Sequence, residues 1–273
     1  MSNLSIHRIT SLELPQLQPY HTLRRPQDHL EQGIFVAEGE KVVRRFLSSD
    51  WQTISLLLTE EWLEEIVRTA DERRLDGVEI FVGEKALLET IVGFPLHQGI
   101  MAVGRTPTEL PLPELVPRLP APFFLVALDG LVHAENVGVV VRNCAAFGVD
   151  AILVSRTTAS PYLRRAVRNS MGGIFKLPCF HAKNLAHSLD WLKIAHNTRV
   201  IIADAHAEQT IDRADFSGNI CVVFGNEDAG VSADVESVAT DKIGIPMHSG
   251  MNSLNVASAS AVVLYEARRR RTS

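Results

Sequence analysis

The sequence predicts an α/β protein in which a larger C-terminal domain with a parallel sheet follows a smaller α/β domain. Three observations predict this class. Wholly apolar runs of strand length alternate with helical patterns in the second half of the chain, which is typical of strands buried on both faces of a parallel sheet. Shorter strands and helices alternate in the first part of the chain. A proline-rich stretch separates the two parts, with six prolines in the 16 residues from Pro107 to Pro122.

The N-terminal domain is assigned to residues 1–105. Its apolar residues recur at helical spacing in two segments and form runs of strand length in three others. The predicted helices cover residues 39–47 and 61–67, and the predicted strands cover residues 53–59, 78–82 and 99–104. Strands that alternate with helices in so short a segment favour a small α/β sandwich.

Residues 106–122 are predicted to form an extended linker between the two domains. Proline lacks a backbone donor and disfavours helix at the residue before it. Proline-rich segments of this kind are typical of domain boundaries. We therefore assign residues 123–273 to the second domain.

The second domain has the clearest strand patterns. Residues 123–128, Phe-Phe-Leu-Val-Ala-Leu, form a wholly apolar run, and a long apolar helix over residues 256–268 closes the chain. Further strands are predicted over residues 151–154, 199–203, 220–224 and 242–245. Parallel strands need crossover connections, so we expect helices on both faces of this sheet.

Composition limits the class of protein. No uninterrupted apolar run approaches the ~18 residues of a membrane span, and the N-terminus lacks the pattern of a secretory signal. The three cysteines, Cys144, Cys179 and Cys221, lie far apart in apolar surroundings, which argues against a disulfide framework and against a zinc site. We expect a cytoplasmic protein that binds neither a membrane nor a metal.

Charge leaves the question of nucleic acid open. The net charge of −5 argues weakly against nucleic-acid binding, but an average says little about a local patch. Basic residues cluster at Arg24 and Arg25, at residues 164–168 and at residues 268–271. Each cluster is equally compatible with a solvated helix end and with a nucleic-acid contact.

The first of three polar motifs begins the helix after the first strand of the second domain. Asn136 could cap this helix through its side-chain oxygen, and Gly138 permits a close approach to the first turn. Arg142 lies within a valine-rich helix next to the carboxyl edge of the predicted sheet, where ligands of open α/β sheets bind. A lone arginine on a helix is usually a surface residue, so this position alone leaves the role of Arg142 open.

The second motif, Gly225-Asn-Glu227-Asp-Ala-Gly230, follows an apolar strand and precedes a helix. Its glycines permit unusual backbone angles and expose backbone groups to a ligand, although a simple turn would also use them. The glycine pattern of dinucleotide-binding proteins is missing. Glu227 is a carboxylate that could hold Arg142 through a charge-assisted pair.

The third motif lies between the last strand and the final helix. It runs from Ile245 and Met247 to Ser253, Leu254 and Asn255. Either Ser253 or Asn255 is suited to cap the final helix, and that role alone would explain both.

In this order and spacing, the three motifs resemble those of the SpoU (TrmH-like) family of RNA methyltransferases. The resemblance implies a trefoil knot in the C-terminal domain, a homodimer, and transfer of a methyl group from S-adenosylmethionine to a ribose 2′-hydroxyl of rRNA or tRNA. The catalytic residues that it implies are Arg142, Glu227, Asn136, Asn255 and Ser253. The residues that it implies for cofactor binding are Gly225, Ile245, Met247 and Leu254.

The N-terminal domain carries weaker features of the same family. Glu38-Gly39 and residues 95–99 are similar to parts of a substrate-binding domain that resembles ribosomal L30e-type proteins and binds RNA, although a helix start and a turn would also explain them.

Arg168, before Ser170 and Gly172, is similar to a further element of the family. It could bind an RNA phosphate or belong to an ordinary helix end. With Arg24 and Arg25 it forms the predicted substrate-binding set.

Two departures from the family and three alternatives bear on this interpretation. Many relatives have Asp-Pro before Asn136 and Thr-Ala after Arg142, where this chain has Ala134-Glu135 and Asn143-Cys144. These differences leave the substrate RNA and the subfamily open. A non-catalytic RNA-binding protein that retains the fold, a base methyltransferase and a nucleotide-dependent oxidoreductase remain alternatives, the last disfavoured by the missing glycine pattern.

Overall fold

A computed structural model describes residues 4–92, 99–248 and 253–271. The chain divides into two compact units. The first unit comprises Met1–Pro107 together with Tyr162–Phe175, and the second comprises Thr108–Pro161 together with Lys176–Ser273. A segment from the second half of the sequence therefore folds with the first half. Residues 95–98, which the sequence likens to an RNA-binding element, lie outside the described residues.

The strands and helices alternate along most of the chain. The strands are β1 (Ser5–Arg8), β2 (Ile34–Glu38), β3 (Thr53–Leu58), β4 (Glu79–Val82), β5 (Ile100–Arg105), β6 (Phe124–Asp129), β7 (Ala151–Ser155), β8 (Cys179–Ala182), β9 (Arg199–Ala203), β10 (Ile220–Gly225) and β11 (Asp241–Ile243). The helices are α1 (Gln18–His21), α2 (Pro26–Glu31), α3 (Glu40–Leu47), α4 (Glu60–Thr69), α5 (Glu72–Leu75), α6 (Lys85–Val92), α7 (Leu112–Leu115), α8 (Ala134–Phe147), α9 (Arg164–Asn169), α10 (Leu185–His196), α11 (Ala233–Val238) and α12 (Val256–Arg271). No helix among the described residues is long and apolar enough to span a bilayer.

The first unit is built on a mixed sheet with the strand order β1-β4-β3-β5-β2. Strands β1, β4 and β3 run parallel, and β5 is antiparallel to both β3 and β2. All five residues of β2 are buried although it is an edge strand. The helices α2 and α9 pack against β2, which explains how an edge strand can be wholly apolar apart from its last residue, Glu38.

Aromatic residues from both parts of the sequence pack together in the first unit. The ring of Phe175 lies 5.7 Å from that of Phe35 and 5.3 Å from that of Phe46, and the ring of Trp51 contacts Tyr162. Burial of such rings contributes more to stability than most core contacts, because each removes a large apolar area from water. The segment Tyr162–Phe175 is therefore part of the core of this unit.

The second unit is built on a sheet of the order β11-β9-β10-β6-β7-β8, and every recorded strand pairing in it is parallel. The prediction of a parallel sheet is confirmed. All six residues of β6 are buried, as the apolar run indicates for a strand covered on both faces. Helix α12 packs against α8, and Asn143 fastens the two helices by donating to Ala257 O and Ser260 Oγ, both at 2.9 Å.

The prediction of a wholly extended linker is wrong. Helix α7 is followed by a 3₁₀ turn over Val116–Arg118, and each of the two has a proline as its second residue. Proline is tolerated there because the first amides of a helix have no intrahelical acceptor. Leu112 and Leu115 are buried in the core of the second sheet, so this segment is part of that core.

Candidate active site

The candidate site lies in the second unit, at the carboxyl ends of the neighbouring strands β9, β10 and β11. These strands are parallel and in register, with Ala203 beside both Phe224 and Ile243. The loops that follow them therefore leave the sheet at one edge. A cavity of about 540 Å³ opens there. Its volume lies within the range of about 300–1,000 Å³ that is typical of small-molecule sites.

The cavity brings together residues of the second and third motifs, which are separate in the sequence. All four residues predicted to bind the cofactor, Gly225, Ile245, Met247 and Leu254, line it. Two of the predicted catalytic residues, Glu227 and Ser253, line it as well. Aliphatic side chains of the sheet and of α12 form much of the rest of the wall, so the cavity combines an apolar surface with few polar groups, as ligand pockets generally do.

Ionisable residues that the sequence did not single out also line the cavity. They are Asp204, His206, Glu236 and Lys242, together with Asp228. Lys242 pairs with Glu236, and this hydrogen bond raises the pKa of the ammonium group. The pair keeps Lys242 charged, which excludes it as a neutral base at ordinary pH.

The loop Gly225–Gly230 folds back on its own strand, and this explains its first glycine. A side-chain carbon at Gly225 would lie 2.4 Å from the carbonyl carbon of Gly230 and 2.5 Å from the amide nitrogen of Val231. Both atoms belong to the backbone and cannot move without moving the loop. Only glycine fits, because the chain passes itself at this point.

Asn226 fixes the shape of this loop, and sequence reasoning missed it. Its backbone exchanges hydrogen bonds of 2.8 and 2.9 Å with Gly230, and its Oδ1 accepts from the amides of Asp228 and Ala229. Its Nδ2 donates to Gly130 O, at the end of β6, at 2.8 Å. Asparagine commonly folds its own backbone in turns, which is the only local signal that the sequence offered.

The end of β6 connects several site elements. The amide of Gly130 donates to Ser155 Oγ and Thr158 Oγ1, at 3.1 and 2.9 Å, while its carbonyl accepts from Asn226. The carboxylate of Asp129, which is buried, accepts from the amide of Ser232 at 2.7 Å at the start of α11. Polar groups at this edge of the sheet would otherwise be unsatisfied, and their hydrogen bonds hold the surrounding loops at the end of β6.

A chain of polar side chains joins the three motifs. Asn136 Nδ2 donates to Glu227 Oε1 at 2.5 Å, and Asn255 Nδ2 donates to Asn136 Oδ1 at 3.5 Å. The other oxygen of Glu227 is buried and has no hydrogen-bond partner among the described residues. A buried acceptor without a partner is costly and marks a place where a bound group could supply a donor.

The helix caps differ in part from the prediction. Helix α8 begins at Ala134 with His133 at the N-cap, so Asn136 lies within the first turn and does not cap the helix. Asn255 does cap α12, because its Oδ1 accepts from the amide of Ala257 at 2.9 Å. Ser253 is exposed and lines the cavity without taking that role.

Arg142 does not pair with Glu227, so that hypothesis is wrong. Arg142 is exposed and is absent from the cavity lining; among the described residues it makes no hydrogen bond or ion pair. The geometry of the helix gives the reason. Arg142 follows Asn136 by about 9 Å along the axis and about 120° around it, so the helix face that presents Asn136 to Glu227 cannot also present Arg142.

The predicted substrate-binding residues lie in the first unit, whereas the cavity lies in the second. Arg24 and Arg25 are exposed, and neither side chain forms an ion pair within the described part of the chain. Arg168 is half-exposed and donates to the buried carboxylate of Glu38 at 3.3 Å. Ser170, by contrast, is buried and bonds to Val167 O, which is the role of an ordinary helix end.

The other basic and sulfur-containing groups have structural surroundings. Arg270 and Arg271 donate to backbone carbonyls of residues 212–218, so the basic C-terminal turn of α12 binds its own chain. Cys144 and Cys221 are fully buried, and burial raises the pKa of both thiols, as expected for small core residues. No group of side chains that could hold a metal ion occurs among residues 4–92, 99–248 and 253–271.

Comparison with known proteins identifies the family of this chain. A family model described as "SpoU rRNA Methylase family" matches residues 124–265. A 23S rRNA (guanosine-2′-O-)-methyltransferase of Acinetobacter baylyi is 32% identical over 71% of this chain and 80% of its own length. A protein of Mycobacterium bovis, named as an uncharacterized tRNA/rRNA methyltransferase, is 28% identical over 96% of this chain and 92% of its own.

A solved structure extends the comparison to the fold. The crystal structure of an AdoMet-bound rRNA methyltransferase from Sinorhizobium meliloti superimposes with a TM-score of 0.83 and 25% identity. The match covers 97% of this chain and 98% of that one, so both units have counterparts in it.

Proposed function

The chain belongs to the SpoU rRNA methylase family of RNA methyltransferases, and we propose that it transfers a methyl group from S-adenosylmethionine to a ribose 2′-hydroxyl of rRNA or tRNA. The observation that carries this proposal is the cavity at the sheet edge, where residues of the second and third motifs meet. The similarity to a relative named as a 2′-O-methyltransferase supports the ribose hydroxyl as the acceptor. Closely related base methylation finds no comparable support.

The residues around the cavity fit S-adenosylmethionine. We propose that Gly225, Ile245, Met247 and Leu254 hold it, with backbone groups of the loops bonding its polar parts and aliphatic side chains covering its apolar ones. The unpaired buried oxygen of Glu227 offers an acceptor in the same wall. When bound, the cofactor supplies a methyl group on a sulfonium, which is already an activated leaving group.

Arg142 is proposed to bind a phosphate beside the target ribose. A guanidinium has a pKa above about 12, so it is a poor base but a good bidentate ligand for phosphate. Its exposure and lack of partners among the described residues leave its donors available to RNA. In that role it would orient the 2′-hydroxyl and stabilise the charge that develops on its oxygen, while the proton passes to phosphate or water.

Glu227, Asn136 and Asn255 are proposed to keep the catalytic loops in position. Their hydrogen bonds join the start of α8, the loop after β10 and the start of α12. Ser253, at the cavity wall, is proposed to contact the substrate or cofactor. Alignment of reacting groups can contribute about 7–11 kcal/mol to a reaction of this kind, which is why loop geometry matters more here than acid–base strength.

The first unit is proposed to bind RNA through Arg24, Arg25 and Arg168. Guanidinium groups neutralise phosphates without reading sequence, so these contacts would position the RNA. We propose that residues 1–105 form an L30e-like substrate domain, joined by residues 106–122 to a methyltransferase domain over residues 123–273. The trefoil knot of the family is proposed for the latter.

A direct assay tests the reaction. The protein is incubated with methyl-labelled S-adenosylmethionine and unmodified rRNA or tRNA, and the labelled nucleoside is identified after digestion, with Arg142→Ala in parallel. We expect a 2′-O-methyl nucleoside that the variant does not form. A folded protein that binds the cofactor and RNA but transfers no label would favour the non-catalytic alternative. A label found on a base would show that the base, and not the ribose, is the methyl acceptor.

We further propose that the protein is a cytoplasmic homodimer that pairs through α12. Val262 and Tyr265 are 41% and 57% exposed on this helix, and the ring of Tyr265 contacts that of Phe147 on α8. All three cysteines are free and buried, which suits a reducing compartment. Light scattering after size exclusion should give a dimer for the wild type and a monomer for Val262→Glu/Tyr265→Glu. Ile194→Glu, at an exposed position on α10, is the matched control.

A further inference from the structure

Glu38 is an acidic residue in an unusual position. It ends the buried edge strand β2, and its side chain is only 8% exposed. Arg164 and Arg168, one turn apart on α9, both donate to its carboxylate, Arg168 through Nη1 at 3.3 Å. A buried carboxylate is costly unless it is paired and hydrogen-bonded, and these two arginines meet that requirement.

The two arginines of this cluster differ in their exposure. Two guanidinium groups donate to one carboxylate. The side chain of Arg164 is 14% exposed, whereas that of Arg168 is 49% exposed, so Arg168 is the accessible member. A guanidinium has five N–H donors, and one contact with Glu38 leaves donors for an external anion. Arginine binds phosphate best through two parallel donors, which requires a fixed guanidinium plane.

Other basic residues lie on elements that pack against the same strand. Helix α2 and helix α9 both contact β2, although they are far apart in the sequence. Arg25 directly precedes α2, and both it and Arg24 are exposed. Burial, and to a smaller extent the charge of Arg164, lowers the pKa of His29 on α2, so the two helices lie within electrostatic range of each other.

We propose that Glu38 is a positioning residue that holds Arg168 ready for an RNA phosphate. The RNA-binding surface of the first unit is then built jointly by the α2–β2 region and by the segment Tyr162–Phe175, and not by the N-terminal domain alone. This inference rests on the proposed function, because it assigns a role within RNA binding. A purely structural ion pair that docks α9 on β2 is the competing explanation.

Binding measurements on the full chain separate these explanations. The probe is a fluorescein-labelled RNA stem-loop, titrated by anisotropy at several KCl concentrations, and the affinity for S-adenosylmethionine is measured in parallel. The variants are Arg168→Ala, Glu38→Gln, their double variant, and Glu38→Asp, which keeps the charge but withdraws it by one methylene. Arg73→Ala is the matched control, because it removes the same charge from an exposed residue of the same unit.

We expect Arg168→Ala to weaken RNA binding about tenfold and to lower its salt dependence by about one phosphate contact. Glu38→Gln and Glu38→Asp should weaken RNA binding less than Arg168→Ala does. Because Glu38 acts through Arg168, the double variant should bind RNA no more weakly than Arg168→Ala alone. Cofactor affinity should not change in any of them. The inference would be overturned if the losses of RNA affinity were additive in the double variant, or if Arg168→Ala bound RNA as tightly as the control Arg73→Ala. A wild type that binds the cofactor but no RNA would instead refute the proposed function.

Discussion

The two units hold their functional residues by different interactions. In the second unit, the loop that lines the cavity is fixed by neutral groups, chiefly the side-chain amide of Asn226 and the backbone of Gly130 and Gly230. In the first unit, Arg168 is held by the carboxylate of Glu38, so the interaction is between full charges. The first arrangement fixes a shape, and the second orients a charge.

This difference has consequences for binding. Hydrogen bonds between neutral groups respond little to salt, whereas charges near the surface are screened over about 10 Å at ordinary ionic strength. Cofactor affinity is therefore expected to depend on loop geometry and RNA affinity on charge. Arg142 is the exception in the second unit, since it is charged, exposed and without a partner among the described residues.

The largest effect on activity is expected from a change of Arg142. Arg142→Ala should lower the rate of methyl transfer about 10²–10³-fold, because it removes the donors proposed for the phosphate and the developing oxyanion. Single-turnover rates at saturating cofactor and RNA measure this directly. Cofactor affinity and Tm should stay near those of the wild type, since the side chain is exposed and makes no contact with the cavity. Arg142→Lys at full activity would contradict a bidentate role.

Gly225→Ala tests whether geometry sets cofactor affinity. The added carbon would lie 2.4 Å from a backbone atom of Gly230, so the loop must shift away from its strand. We expect a loss of about 2 kcal/mol, or roughly thirtyfold in the Kd for S-adenosylmethionine measured by calorimetry. RNA affinity and its salt dependence should match those of the wild type. Unchanged cofactor affinity would mean that this loop does not form the cofactor site.

Asn226→Asp should lower cofactor affinity less than Gly225→Ala does, because it keeps the hydrogen bonds within the loop and loses only the one that joins the loop to the end of β6. The aspartate can still accept from the amides of Asp228 and Ala229, but it loses the donor to Gly130 O at 2.8 Å. About a tenfold loss of cofactor affinity is expected.

Asn219→Asp is the matched control for this change. Asn219 also accepts from a backbone amide, that of Phe123, and donates to a carbonyl, that of His196 at 2.8 Å, but it does not line the cavity. It should lose stability without losing cofactor affinity. Equal effects on affinity in the two variants would refute a specific role for Asn226.

The strands and the cavity residues could be predicted because their signals are local. The run over residues 123–128 is apolar at every position, since β6 is covered on both faces. Gly225 follows the predicted strand over residues 220–224, and Ile245 ends the predicted strand over residues 242–245. The carboxyl ends of parallel strands meet at one edge of the sheet. Topology therefore brings these two residues to one edge of the sheet. Their role in cofactor binding, and that of Met247 and Leu254, was implied only by the resemblance to the family.

The side-chain partners could not be predicted, because they join distant parts of the sequence. Nothing near Glu227 in the sequence indicates that it bonds to Asn136 and not to Arg142, because the choice depends on which face of α8 turns toward the loop after β10. The short edge strand β8 gave too little periodicity to detect. The docking of Phe175 against Phe35 likewise leaves no trace in local spacing.

The smallest effect is expected from pH, and it belongs to the first unit. His29 is buried, and its ring contacts Thr22 Oγ1 at 2.9 Å. Burial lowers the pKa of His29, and the charge of Arg164 lowers it further. A hydrogen bond to Pro19 O and the charge of Asp28 oppose this lowering in part. As the pH falls through about 6.5, the ordinary value, the unfolded chain takes up this proton before the folded one. Stability is therefore lost on acidification and is fully present above that pH.

His29→Gln cannot take up this proton, so its Tm should fall less between pH 7.5 and pH 5.5 than that of the wild type. A difference of roughly 2 °C is expected in thermal melts, since a chain of this length responds weakly to a single group. His206→Gln, at an exposed position in the second unit, is the control and should follow the wild type. Parallel curves for all three proteins would show that His29 titrates alike in both states, and that charge in the first unit matters for binding RNA but not for folding.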